Sequence, residues 1–290
     1  MLTEDINPKS KDIDALPLQD IIRIMNEENE SVVEAVKASS DFVERTIADA
    51  VKTIKSGRSL IYIGAGTSGR LGVLDASEIP PTFGVSSDIV KGIIAGGEKA
   101  LTDAVEGAED DVDAGARAVA GIRAGDMLLG ISASGRTPFT ISALREGKRL
   151  GAVCWLLACN DVEYDFLDGV IKLLVGPEIV AGSTRLKAGT ATKMVLNVIS
   201  TAVMIKLGKV YKGYMIDVIP SNTKLKDRAM RIIRDITGCR MDEAEALLDK
   251  SGGNAKIAVL IYMKRLSREE AIKFLEIAGG SLRDALEYDR

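Results

Sequence analysis

Histidine is absent from this 290-residue chain. Histidine is the usual general base near neutral pH and the commonest metal ligand, so Ser-His-Asp and Cys-His catalysis and histidine-containing zinc sites are excluded. Acid-base chemistry must then come from carboxylates, lysines, tyrosines or cysteines whose pKa values the fold moves toward neutrality, and paired Glu or Asp are the first groups to look for. Cysteine is scarce as well. Cys154, Cys159 and Cys239 do not make a disulfide framework, and the C-x4-C spacing of the first two matches no common metal motif. All three read as reduced, and Cys154 and Cys159, which flank an apolar run, as buried small hydrophobes. An excess of one charge is also missing: 38 basic against 42 acidic residues give a net −4 without any long single-sign run. Nothing here points to nucleic acid or an anionic membrane surface. No uncharged apolar stretch approaches the roughly 18 residues of a membrane span, and the start, MLTEDINPKSKDID, has no apolar signal core. A cytoplasmic protein is expected.

What the chain does have is a hydrophobic content of 46%, enough for one large domain or two unequal ones. After a polar opening, residues 16–56 alternate at helical spacing and predict two helices. The second is expected near 32–56, opened by a Ser31/Glu34 capping box and closed at Gly57. Then RSLIYIGAGTSGRLGVLDASEI gives an apolar β-rich run, a glycine turn and a helical segment. The pattern recurs at VKGIIAGG, DMLLGISASGRTPFTISALREGKRLG and AVCWLLACN, with GVIKLLVG a further strand. Strands apolar along their whole length that alternate with helices indicate a parallel sheet covered on both faces. The fold class is therefore α/β, a doubly wound, mostly parallel sandwich followed by a small helical domain. Expected boundaries are a helical segment over 1–44, the α/β domain over 45–224 and the helical domain over 225–290. Thr184 to Val210 reads as a buried helix. The last part holds three compact helices, the third opened by Ser267 and Glu270.

Two loops following predicted strands carry hydroxyls and glycines: Gly64-Ala-Gly66-Thr67-Ser68-Gly69-Arg70 and Ser132-Ala-Ser134-Gly135-Arg136-Thr137. Both enter a helix, where amides and hydroxyls converge on the end that favours an anion, as phosphate binding requires. Tight strand-to-helix turns would also need the glycines. The first loop spells G-x-G-x-x-G, but the second predicted strand ends in glycines rather than an acid, which argues against a dinucleotide, and no Walker-type loop occurs. Gly182-Ser183-Thr184-Arg185-Leu186-Lys187 forms a third polar cluster. A plain helix cap explains its hydroxyls but not its cations.

Candidate acids stand near the strand ends. Glu78 lies in LDASEIPPTFG, where Pro80 and Pro81 are expected to halt the helix. Four acids crowd Glu106-Gly-Ala-Glu109-Asp110-Asp111, and their like charges raise each other's pKa values. Either could be an ordinary solvated group, and the spacing does not choose which acid of the cluster faces the loops.

The segments IYIGAGTSGRLGVLDASEIPPTFGV, IIAGGEKALTDAVEGAEDD, GISASGRTPFTISAL, VGPEIVAGSTRLKAGTATKMVLN and IDVIPSNTKLKDRA resemble the signature segments of the N-acetylmuramic acid 6-phosphate etherase family. The likeness extends over nearly the whole chain, including NPKSKDID and TGCRMDEAEALL. It implies a sugar isomerase (SIS) fold with a small domain similar to ubiquitin-associated domains, a homodimer, and no metal or organic cofactor. It implies cleavage of the lactyl ether of N-acetylmuramic acid 6-phosphate to N-acetylglucosamine 6-phosphate and D-lactate during cell-wall sugar recycling. It places the catalytic glutamates on Glu78 and Glu109. It points to Ser132, Ser134, Gly135 and Thr137 for the phosphate, with Ser183, Thr184 and Lys187 lining the pocket and Thr67, Ser68 and Arg70 near sugar or phosphate. Ile79 and Thr192 stand where the family commonly has Cys and Gln. Two other readings share the architecture: a sugar-phosphate sensor like the glucokinase regulatory protein, and an aldose-ketose isomerase.

Overall fold

A computed structural model describes residues 1–220 and 222–288. The chain divides into two compact units, one of residues 1–77 and 87–200 and one of residues 78–86 with the C-terminal part from 201.

The first unit opens with three short 3-10 turns, Leu2–Glu4, Pro8–Ser10 and Ile13–Ala15. Helices α1 (Leu18–Glu28), α2 (Glu30–Ala38) and α3 (Ser40–Lys55) follow, three where two were expected. The Ser31/Glu34 capping box does not form. Ser31 lies inside α2, and its hydroxyl donates to the Glu28 and Val175 carbonyls, while a break at Ser39 separates α2 from α3. The remaining elements are β1 (Leu60–Gly64), α4 (Gly66–Phe83), β2 (Val90–Ile94), α5 (Lys99–Thr102), α6 (Val112–Ala118), β3 (Met127–Ile131), α7 (Pro138–Arg149), β4 (Val153–Ala158), β5 (Gly169–Lys172) and α8 (Lys187–Lys206). All five predicted strands form.

The sheet runs β2-β1-β3-β4-β5 and every pairing is parallel. Strands apolar throughout allow this, because helices cover both faces. Ile61, Ile63, Leu128, Cys154 and Leu156 share one face with Phe139, Ala143 and Leu144 of α7. On the other face Tyr62, Leu129 and Trp155 stand in register. Gly169 on β5 leaves room for the indole, since a Cβ there would lie 2.3 Å from the ring. The Trp155 Nε1–H donates to Asp49 of α3 at 2.9 Å.

Helix α4 lies close on the sheet. A Cβ at Gly69 would lie 2.6 Å from the Gly64 carbonyl oxygen, and one at Gly92 of β2 would lie 2.6 Å from the Val73 Cα. The helix does not stop at Pro80. It continues through both prolines to Phe83 and ends where the Gly84 amide donates to the Pro80 carbonyl at 2.9 Å. Proline removes an amide donor but keeps a helical φ, so a final turn tolerates the pair at the cost of two ladder bonds.

Helix α8 is long and apolar enough to cross a membrane by length and composition. Its Val195, Leu196, Ile199 and Val203 are nevertheless buried inside the protein.

In the second unit, β6 (Val210–Tyr211) and β7 (Tyr214–Met215) form an antiparallel hairpin that the composition did not reveal. Five helices follow: α9 (Thr223–Thr237), α10 (Met241–Lys250), α11 (Ala255–Lys264), α12 (Arg268–Ile277) and α13 (Leu282–Glu287). The Ser267/Glu270 capping box is present at α12. Tyr211, Ile216 and Val218 share a core with Ile233, Leu248, Val259 and Leu260, so residues before 224 belong with the helices rather than with the sheet. Lys256, 2% exposed, reaches the Asp217 carboxylate at 2.7 Å.

Candidate active site

In the strand order, β1 and β3 are neighbours whose following helices lie on opposite faces, which opens a crevice beyond their carboxyl ends. Both hydroxyl-rich loops leave the sheet there. Gly64 closes β1 directly beside Ile131 of β3. Gly66, at φ +52°, turns the chain into α4, so the amides of Gly66, Thr67 and Ser68 fall in the first turn, where no intrahelical acceptor exists. Thr67 and Ser68 are half-buried.

The second loop is organised around Ser132, 1% exposed. Its Oγ lies 2.8 Å from Thr137 Oγ1 and 3.3 Å from Ser134 Oγ. The Arg136 amide donates to Ser134 Oγ and the Thr137 amide to Ser132 Oγ. Gly135 sits at φ +72°, where side chains are disfavoured. Three hydroxyls and the start of α7 thus share one small volume, an arrangement suited to a phosphate's several acceptor oxygens.

The third cluster adjoins the first loop: a Cβ at Gly189 would lie 3.4 Å from the Thr184 carbonyl oxygen and 3.6 Å from Thr67 Cγ2. Its role differs from expectation in two respects. The positive end of α8 is already occupied by Glu178, 0% exposed, whose carboxylate accepts from the Lys187 and Ala188 amides at 2.9 Å each. Lys187 turns inward, its Nζ 2.8 Å from Glu28. A cation placed at a repelling helix end is explained by that buried partner, and Lys187 is corrected from a substrate contact to an internal ion pair. The half-buried Ser183 and Thr184 remain at the cluster. Arg70 is likewise redirected, donating to the Leu101 and Asp103 carbonyls at 3.2 and 2.8 Å. It fixes the segment after β2 instead of presenting a free guanidinium.

The acidic run forms a turn. Asp111 caps α6 by accepting from the Ala114 amide at 2.7 Å, the ordinary helix-end role. Glu109 differs: its backbone carbonyl accepts from the Phe139 amide at 2.9 Å, which binds it to the first turn of α7, directly after the Ser132–Thr137 loop. Its side chain is exposed. Packing between α6 and α7 is tight here, since a Cβ at Gly115 would lie 2.2 Å from the Phe139 carbonyl oxygen. Glu78, also exposed, lies on the last turns of α4.

One turn before Glu78, Asp75 accepts from Tyr62 Oη and Ser200 Oγ, both at 3.1 Å. Burial pushes its carboxyl up to about 6 even though these hydrogen bonds and nearby Lys193 favour the charged form. The Tyr62 phenol is driven well above its usual range, by burial first and then by Asp75. With a folded pKa above the unfolded one, the stability tied to neutral Asp75 is complete below about pH 4 and is lost as pH rises through 6. The loss is at most about 3 kcal/mol. Asp75→Asn is expected to abolish that decline, so unfolding midpoints measured at pH 4.5 and pH 8 should lie closer together than in the wild type. An unchanged gap would contradict the assignment.

Several working residues escaped sequence reasoning. Asn160 sits two residues beyond β4, and its Nδ2 donates to the Ala133 carbonyl at 2.9 Å. A polar residue just past the end of an apolar strand was the available signal. Glu178 carried none beyond its distance from α8.

A doubly wound sheet with paired hydroxyl loops at its switch point is the architecture of an α/β domain built to hold a small anionic ligand. In agreement, residues 42–148 match the glucokinase regulatory protein N-terminal SIS domain. An N-acetylmuramic acid 6-phosphate etherase from Geobacillus thermodenitrificans is 46% identical over 99% of this chain and 99% of its own. One from Caldanaerobacter subterraneus is 47% identical over 99% of this chain and 95% of its own. The chain belongs to the N-acetylmuramic acid 6-phosphate etherase family. Among solved structures, a phosphoheptose isomerase from Francisella tularensis is similar over 63% of this chain and 98% of its own, with 17% identity and a TM-score of 0.45.

Proposed function

We propose that this member of the etherase family cleaves the lactyl ether of N-acetylmuramic acid 6-phosphate by elimination followed by hydration, in cytoplasmic recycling of cell-wall amino sugars. The observation that carries the proposal is the full-length similarity to etherases together with the hydroxyl cradle around Ser132. An ether resists direct displacement, whereas in the open-chain aldehyde the C2 proton lies next to a carbonyl and is acidic enough to remove. Glu109 as carboxylate takes that proton. The C3–O bond breaks as Glu78 gives its proton to the departing oxygen, releasing D-lactate and leaving a 2,3-unsaturated aldehyde. Glu78, now a carboxylate, deprotonates a water that adds at C3, and Glu109 returns the proton to C2. The balance is one water consumed and both glutamates restored.

Ser132, Ser134 and Thr137, with the loop at Gly135, bind the phosphate, while Thr67, Ser68, Ser183 and Thr184 line the sugar. Glu78 is exposed on the single chain, and a general acid needs to be enclosed when it acts. A homodimer would supply cover. The exposed Leu74 of α4 and Val198 of α8 offer apolar surface for that pairing.

Incubating the protein with N-acetylmuramic acid 6-phosphate and measuring free lactate tests the proposal. Release with turnover is expected. A sugar-phosphate sensor or an aldose-ketose isomerase would release none.

A further inference from the structure

We infer that the opening segment is a working part of the phosphate site, in which Thr3 and Asn160 act as positioning residues for the Ser132–Thr137 loop. The inference rests on the reading of that loop as a phosphate cradle. The residues before Leu16 read as a polar opening, yet Thr3, Asn7 and Ser10 are 0%, 4% and 7% exposed. Buried polar groups persist where they are hydrogen-bonded, and the partners of these three are Glu28, the stretch 177–182 that leads into the third cluster, and Asn160. The Thr3 carbonyl accepts from the Gly182 amide at 2.9 Å. Ser10 donates to the Ile179 carbonyl at 2.7 Å, and Asn7 donates to Glu28 at 2.7 Å and to the Pro177 carbonyl at 3.3 Å. The Glu28 carboxylate in turn holds Lys187 at the start of α8. The stretch 177–187 is thereby tied at residues 177, 179, 182 and 187.

The second loop is reached through Asn160, which is 4% exposed. Its Nδ2 donates both to Thr3 Oγ1 at 3.1 Å and to the Ala133 carbonyl at 2.9 Å. The Cys159 amide donates to the same carbonyl at 2.9 Å. A trans peptide directs its carbonyl and the following amide to opposite sides. Anchoring the Ala133 carbonyl on Asn160 and Cys159 therefore turns the Ser134 amide away from them and fixes the peptide that leads into the loop. The Asn160 Oδ1, buried without a protein partner among the described residues, adds no competing tie, so both of the amide's bonds run along the line from Thr3 to the loop.

Thr3→Val, which keeps the shape and removes the hydroxyl, and Asn160→Ala test this. Each should raise KM for N-acetylmuramic acid 6-phosphate by roughly 5- to 20-fold with kcat within about twofold, as for loss of one hydrogen bond in Thr3→Val and of two in Asn160→Ala that support binding alone. The Kd for inorganic phosphate, measured by calorimetry, should rise in parallel, and Thr3→Ser should return both to near wild type. Unchanged KM and phosphate Kd in the folded Thr3→Val protein would overturn the inference, as would a fall in kcat at constant KM. If Asn160→Ala does not fold, Thr3→Val decides alone. Failure of the catalytic reading looks different: wild type would release no lactate while still binding phosphate, and Thr3→Val would still weaken that binding.

Discussion

Lactate release from N-acetylmuramic acid 6-phosphate is expected to fall by about 10²- to 10⁴-fold in Glu109→Ala and in Glu78→Ala, the range typical of losing a positioned proton-transfer group. The two variants should differ in what survives. Without Glu109 the C2 proton is not removed, so exchange of that proton with deuterated solvent should stop together with lactate release. Without Glu78 the departing oxygen is not protonated, and C2 exchange should persist above the rate of lactate formation. Neither change touches a buried contact, since both side chains are exposed, so melting temperatures should stay near wild type. Near-normal turnover in either variant would remove that residue from the mechanism. Exchange surviving in Glu109→Ala but lost in Glu78→Ala would reverse the two roles.

Ser132→Ala should have the next largest effect. The Ser132 hydroxyl lies within hydrogen-bonding distance of Ser134 and Thr137 and accepts from the Thr137 amide, so its loss frees two further hydroxyls as well as its own. KM is expected to rise about 100-fold, the combined effect of two or three weakened hydrogen bonds at about 1 kcal/mol each, with a smaller fall in kcat. Ser134→Ala, which removes one peripheral hydroxyl, should raise KM by about tenfold. Steady-state kinetics on the two variants checks the order, and equal effects would show that Ser132 does not organise the loop.

The sheet was legible because its strands are short, mostly apolar runs and the first four are separated from one another by helical segments. The loops after β1 and β3 were legible for the same reason: hydroxyls and glycines directly beyond an apolar run have few other uses. What sequence could not show was which partner a polar side chain takes when that partner is far along the chain. Lys187 and Arg70 have the composition of anion ligands, yet Glu28 and the carbonyls of residues 101 and 103 engage them. Asn160 is the converse, a single amide in a coil that gains its importance from Thr3, 157 residues away. The break at Ser39 and the helix running through Pro80 and Pro81 were hidden because packing overrode local propensity at both places. Glu109 was separable from its acidic neighbours only by a backbone bond to α7, which no pattern of charges encodes.

The indole held between β5 and α3 also makes the two units spectroscopically distinct. Trp155 is the sole tryptophan, is 1% exposed on a central strand, and belongs to the unit that carries the hydroxyl loops. The other unit has tyrosines 211, 214, 262 and 288 but no indole. Emission excited at the red edge of the absorption band, where tyrosine contributes little, therefore reports the sheet alone, while far-ultraviolet dichroism is weighted toward the helices of both. Denaturant titrations followed by the two signals would superimpose if the units melt together and separate if the helical one lets go first.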